Sequence, residues 1–161
     1  MKQRVFVTGA TGGMGFASLK EMLKDTDKQD IVILARDSEK NRNILKPYTE
    51  TPGLEIVWGD LNNYDDVLKC VKGCDLILHI AAFVSPAADY YPKQAMKVNY
   101  GSTRNIISAI YELGQQERTR LVYIGTVAET GDRMPPVHWG RVGDPIKPSI
   151  CLLYTSPSPR D

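Results

Sequence analysis

Val5-Phe6-Val7-Thr8-Gly9-Ala10-Thr11-Gly12-Gly13-Met14-Gly15 is an apolar run that breaks into glycines and then turns amphipathic. Before the break, contiguous apolar side chains suit a short strand, about Arg4 to Thr8. After it, Phe16, Leu19, Met22 and Leu23 share one side of a helix expected from about Gly13 to Lys24. The series Gly9-x-x-Gly12-x-x-Gly15 has three separable physical uses. Gly9 turns the chain sharply because it tolerates positive φ. Gly12 puts no side chain between the backbone and a pyrophosphate, and Gly15 lets the new helix lie close to the first strand. A helix starting there offers phosphate its free N–H groups and the positive end of its dipole, worth about 0.3–1 kcal/mol for the dipole alone. Thr8, Gly9, Thr11, Gly12, Gly13, Met14 and Gly15 are therefore expected to hold a dinucleotide; the alternative is a glycine-rich turn with no ligand.

Outward from this turn the chain repeats strand and helix. A polar loop from Asp25 to Gln29 leads to Asp30-Ile31-Val32-Ile33-Leu34-Ala35, an apolar run suited to a strand buried on both faces of a parallel sheet. Ser38 is expected to cap a short polar helix reaching about Lys46. Leu54 to Trp58 reads as a third strand, and Asn62 as the cap of a helix from Tyr64 to Val71, with Asp65 and Asp66 in its first turn. Leu76 to Ile80 is a fourth strand. A long helix is expected from Pro92 at its first position to Leu113, carrying Ala95, Val98, Ser102, Ile106, Ala109 and Leu113 on one stripe and ending at Gly114. Leu121 to Ile124 is the fifth strand. Five strands separated by helices predict an α/β fold, a doubly wound parallel sheet with right-handed crossovers, in one domain over residues 1–150. Ligands of such sheets lie beyond the carboxyl ends of the strands. That rule selects Gly9 to Gly15, Ala35 to Asp37, Asp60-Leu61, His79 to Val84 and Gly125-Thr126.

Composition narrows the function classes. Twenty basic and 19 acidic residues leave a formal charge of +1, spread without blocks, so neither a nucleic-acid surface nor a polybasic membrane patch is expected. No apolar run approaches the roughly 20 residues of a membrane span, and the strand begins too early for a signal peptide, which predicts a cytoplasmic protein. Cys70, Cys74 and Cys151 make no paired framework, and Cys70-x-x-x-Cys74 lacks the second pair a zinc site needs, so no metal is expected. From Cys151 onward, Cys-Leu-Leu-Tyr-Thr-Ser-Pro-Ser-Pro-Arg-Asp has no periodicity and a Ser/Pro bias. This string resembles one reading frame of a transposon-end sequencing adaptor, and residues 151–161 are expected to be a non-native tail on a sheet left incomplete at its C-terminus; the alternative is an ordinary disordered tail.

Thr8-Gly9-x-x-Gly12-x-x-Gly15, Gly59-Asp60-Leu61, His79-Ile80-Ala81-Ala82, Val98-Asn99 and Val122-Tyr123-Ile124-Gly125-Thr126 together resemble the extended short-chain dehydrogenase/reductase superfamily, the NAD(P)-dependent epimerase/dehydratase group. The resemblance runs in order from Met1 to about Thr130 and implies a Rossmann-type NAD(P)-binding domain. It implies that Asp60 and Leu61 flank the adenine, that Ala81 and Ala82 contact the middle of the cofactor, that Asn99 braces the active-site helix and that Thr126 stands at the catalytic Ser/Thr position. The plainer alternatives are a turn cap for Asp60, a solvated helix residue for Asn99 and a strand-end turn residue for Thr126. His79, inside an apolar strand, reads as packed rather than catalytic, and nothing identifies a role for His138.

The end of the second strand bears on which dinucleotide binds. By the family's register, the place of an acid that would bond the ribose of NAD is held by Ala35, followed by Arg36. A guanidinium can grip a 2′-phosphate through charge-assisted hydrogen bonds of order 1.5–3 kcal/mol each, which favours NADP. In the alternative, Arg36 is solvated and Asp37 takes the ribose, giving NAD.

The resemblance implies proton transfer by the tyrosine of a Tyr-x-x-x-Lys pair, whose phenol, ordinarily near pKa 10, must be lowered to act near neutrality. That pair is absent from the 161 residues, and Tyr154, followed four residues on by Ser158, is a decoy. The loop Asp132 to Ser149 is expected to approach a small-molecule substrate such as a nucleotide sugar, its Trp139 and Arg141 pointing to a sugar or acyl group. The expectation is an NAD(P)-dependent oxidoreductase or sugar-nucleotide epimerase/dehydratase in full-length form, a homodimer moving hydride at a substrate hydroxyl or carbonyl, with the present chain inactive. The alternative is a non-enzymatic NADP-binding regulator on the same fold.

Overall fold

Apolar residues in sequence on β1 and β2 demand cover on both sides of a sheet, and the computed structural model, which describes residues 2–126, supplies it. The strands are β1 (Gln3–Thr8), β2 (Gln29–Ala35), β3 (Leu54–Trp58), β4 (Leu76–His79) and β5 (Arg120–Tyr123). All neighbours pair in parallel, in the order β3-β2-β1-β4-β5. The helices are α1 (Gly13–Met22), α2 (Glu39–Leu45), α3 (Tyr64–Val71), α4 (Ala87–Tyr90) and α5 (Pro92–Glu112). The chain winds outward from β1 to β3 and then crosses to β4 on the other side. The order therefore reverses between β1 and β4, where a doubly wound sheet opens a crevice at its carboxyl edge.

Residues Met1–Ala81 with Gly101–Ile124 form one compact unit; Ala82–Tyr100 belongs to a second. In the first, alternate side chains of β1 and β2 enter opposite cores. Phe6, Val32, Leu34 and Ile77 pack with Val67, Cys70 and Val71 of α3 and Ile106, Ala109 and Ile110 of α5. Val5, Val7, Ile31, Ile33 and Ala35 pack with Leu19 of α1 and Leu45 of α2. In the second unit, Asn99 is buried, accepting from the Phe83 N–H at 2.7 Å and donating to the Phe83 carbonyl at 3.0 Å. No helix among the described residues is long and apolar enough to cross a membrane.

Three local expectations change. Asn63, not Asn62, caps α3: its side chain accepts from the Asp65 N–H at 3.1 Å, while Asn62 turns back and donates to Asp60 Oδ1 at 2.8 Å. Helix α4 has only four residues, too few for periodicity to reveal it. Strand β4 stops at His79 because Ile80 and Ala81 bond to a side chain instead of to the next strand. Residues 127–161, including His138, Trp139, Arg141, the Asp132 to Ser149 loop and the tail from Cys151, lie outside the described residues.

Candidate dinucleotide site

At the tip of β1, Gly9 adopts φ +71°, and a Cβ there would stand 2.8 Å from the Ala81 backbone nitrogen. The glycine thus serves a left-handed turn and a close approach to the chain leaving β4. The Gly12 N–H closes the turn onto the Gly9 carbonyl at 2.9 Å, and a Cβ on Gly15 would overlap that same carbonyl oxygen. Helix α1 is thereby pressed onto the turn. Its N-cap, Gly12, has no side chain to offer the first-turn N–H groups, and a Cβ on Gly13 would meet nothing within 4 Å. A helix N-terminus with no side-chain cap and space beside its first residue is a place that suits an anion. Thr11 is half-buried and Met14 is exposed beside them.

The other strand tips of this unit differ in what they offer. Thr8 is fully buried and its hydroxyl is occupied inside the protein, by His79 Nδ1 at 2.8 Å and by the N–H groups of Ile80 and Ala81 at 3.1 and 3.0 Å. Its side chain therefore shapes the crevice from within and does not face a ligand. Arg36 is exposed, and its carbonyl is held by the buried Asn41 side chain at 2.8 Å. Asp37 lies in a two-point grip from Arg42, at 2.6 and 2.8 Å, which holds its carboxyl below the usual range. The Arg42 guanidinium also lies over the Trp58 ring, 4.6 Å from its centre. Asp60 anchors its own turn, Oδ1 accepting from the Asn62 backbone at 2.8 Å, and its N–H reaches Asp66 Oδ2 at 3.1 Å. The Leu61 side chain packs on the core while Asn105 of α5 holds its carbonyl at 2.8 Å.

Residues 5–149 match the family model described as the NAD dependent epimerase/dehydratase family. The chain belongs to that family. Among its epimerase/dehydratase relatives, a UDP-glucose 4-epimerase of Rickettsia akari (strain Hartford) is 32% identical over an alignment of 109 residues that covers 65% of this chain and 32% of that protein. The UDP-Glc/GlcNAc 4-epimerase of Campylobacter jejuni superposes with a TM-score of 0.77 at 20% identity, covering 94% of this chain and 46% of its own. The UDP-glucose 4-epimerase of Thermus thermophilus, solved as a complex with NAD, gives 0.77 at 20%, over 95% and 47%. At these identities the structural likeness is one of fold. The chain spans about a third of the length of the curated relatives it matches.

Within this epimerase/dehydratase fold, the structure brings Gly9 to Gly15 and Ala81 together in one unit. Ala82, Asn99 and Thr126 belong to the other; Ala82 and Thr126 are not buried there. His79 is packed, as its apolar strand predicted, and burial pushes its pKa down to about 4. Burial raises the Cys70 and Cys74 thiols to about 12 and about 11, which makes both poor nucleophiles. Sequence reading missed the Arg42 grip on Asp37 and the Thr8–His79 contact. The available signal for the second was two polar residues in otherwise apolar strands.

Proposed function

We propose that this chain is the cofactor-binding part of an NAD(P)-dependent sugar-nucleotide epimerase or dehydratase that prefers NADP and works in the cytoplasm. The observation carrying the reading is the glycine turn: Gly9 closed on Ala81, Gly15 closed on Gly9, and only Gly13 open above the bare end of α1. In this reading the first-turn N–H groups hold the pyrophosphate, Asp60 and Leu61 border the adenine, and Ala81 and Ala82 border the middle of the dinucleotide. Asn99 braces the helix behind the substrate, and Thr126 orients the reacting oxygen. A bound nicotinamide supplies the hydride acceptor and donor. With no Tyr-x-x-x-Lys in its sequence, the 161-residue chain binds dinucleotide without turning substrate over.

The preference for NADP is supported by the Arg42 grip on Asp37, which takes up the acid that would otherwise serve a ribose and leaves Arg36 exposed beside it. The nucleotide-sugar substrate is supported by the names of the relatives, UDP-glucose 4-epimerases. A homodimer is part of the same reading, and Ile107 and Tyr111, exposed and four residues apart on α5, offer an apolar strip to a second copy. Fluorescence titration of the chain with NADPH and NADH tests the cofactor reading. NADPH is expected to bind the tighter, and binding of neither would overturn it.

A further inference from the structure

The sheet ladder between β1 and β4 pairs Thr8 with His79, and beyond that pair β1 turns away at Gly9. Two successive N–H groups, of Ile80 and Ala81, are then left without a backbone partner on β1. The Thr8 hydroxyl takes both, at 3.1 and 3.0 Å. A hydroxyl has two lone pairs and one proton, so with both lone pairs engaged it has only its proton left. That proton points to His79 Nδ1 at 2.8 Å, which must accept it. The imidazole is therefore neutral with its hydrogen on Nε2, facing Thr103 Oγ1 at 3.1 Å and Ser102 Oγ at 3.3 Å on α5.

We propose that His79 is a positioning residue for the dinucleotide crevice: its Nδ1 lone pair orients the Thr8 hydroxyl, which holds the Ile80 and Ala81 N–H groups against the tip of β1. The inference rests on the dinucleotide reading for its consequence, though not for its geometry. Ala81 is the residue on which Gly9 is closed, at 2.8 Å from where a Cβ would stand, so whatever fixes the Ala81 N–H fixes one wall of the turn. A proton on Nδ1 would face the Thr8 proton, and the hydroxyl could accept from that nitrogen only by releasing one of the two N–H groups. The neutral ring is thus part of the device. The sole cause lowering its pKa is burial, and its other ring neighbour is Tyr123, 5.6 Å away between centres.

The test uses the isotope-labelled 161-residue chain. Nitrogen shifts of the His79 ring are expected to show a bare Nδ1 and a protonated Nε2, unchanged between about pH 5 and 8. A proton on Nδ1, or titration in that range, overturns the proposal even if no dinucleotide binds. His79→Asn places a carbonyl oxygen where Nδ1 stood; His79→Leu removes the acceptor. The Leu variant is expected to lose exchange protection at the Ala81 amide and to raise the NADPH dissociation constant about tenfold, with the Asn variant within about threefold of the parent. Retained protection in the Leu variant, or equal losses in both, would show that Nδ1 does not act through Thr8. Failure of the parent itself to bind NADPH would count against the cofactor reading alone, since the ring shifts and the Ala81 exchange stand without it.

Discussion

A Cβ on Gly15 would overlap the carbonyl oxygen of Gly9, so the first turn of α1 rests directly on the bend that ends β1. The neighbouring Gly13 has open space around it. The two glycines separate packing from binding. Gly15→Ala is expected to destabilise the fold by about 1–3 kcal/mol, because backbone and not a flexible side chain must give way. Gly13→Ala should leave stability equal or up to about 1 kcal/mol higher, since alanine is the better helix former, yet weaken NADPH binding. Thermal melts and NADPH titrations on both variants check this. Unchanged affinity in Gly13→Ala would mean that the open end of α1 is not the phosphate seat.

At the end of β2, Arg36→Asp should invert the cofactor preference, weakening NADPH and strengthening NADH by roughly tenfold each, the size of one charge-assisted bond. Arg42→Met should act in the same direction by releasing the Asp37 carboxylate from its grip. Dissociation constants for both dinucleotides measure the effect. A parent with equal affinities would end the case for NADP.

His79 makes stability depend on pH in a defined window. Its folded value of about 4 lies below the ordinary 6.5, so between the two the unfolded chain takes up a proton that the folded chain refuses. Stability is therefore expected to be fully present above about 6.5 and to fall with pH by about 3 kcal/mol down to about 4. Asp75, held below the usual carboxyl range by the Arg4 N–H and by Arg118, loses its contribution only at lower pH. Urea unfolding across the window should show this slope in the parent and its loss in His79→Asn.

The start of α3 offers a test of one local correction. Asn63→Ala is expected to cost about 1 kcal/mol as loss of a helix cap, and Asn62→Ala less, because only its side-chain bond to Asp60 goes. Denaturant midpoints of the two variants decide between them, and a larger cost at Asn62 would reverse the assignment.

Much of the fold was legible because its signals are local and strong. Continuous apolar runs at Val5 to Val7 and Ile31 to Ala35 could belong only to strands covered on both faces, and the glycine spacing marked the first junction. Single-residue geometry was less legible. Asn62 and Asn63 are chemically equal candidates for one cap, and only the path of the chain between Asp60 and Asp65 selects Asn63. The glycine motif includes Thr8 among the cofactor-holding residues, whereas its buried hydroxyl bonds to His79. The Asp37–Arg42 pair depends on how α2 leaves β2, which no spacing rule encodes. Thr126, the proposed catalytic threonine, stands exposed at the end of the described residues, in the other unit.

Strand β1 lends Phe6 to one apolar layer and Val5 and Val7 to the other. Neither layer can melt while the other stays intact, because the seam between them is a single backbone. The β1 amides should accordingly be the last in the molecule to exchange with solvent, opening only when the whole sheet opens. The glycine bend is spliced onto that most persistent segment, so its shape survives every fluctuation short of complete unfolding.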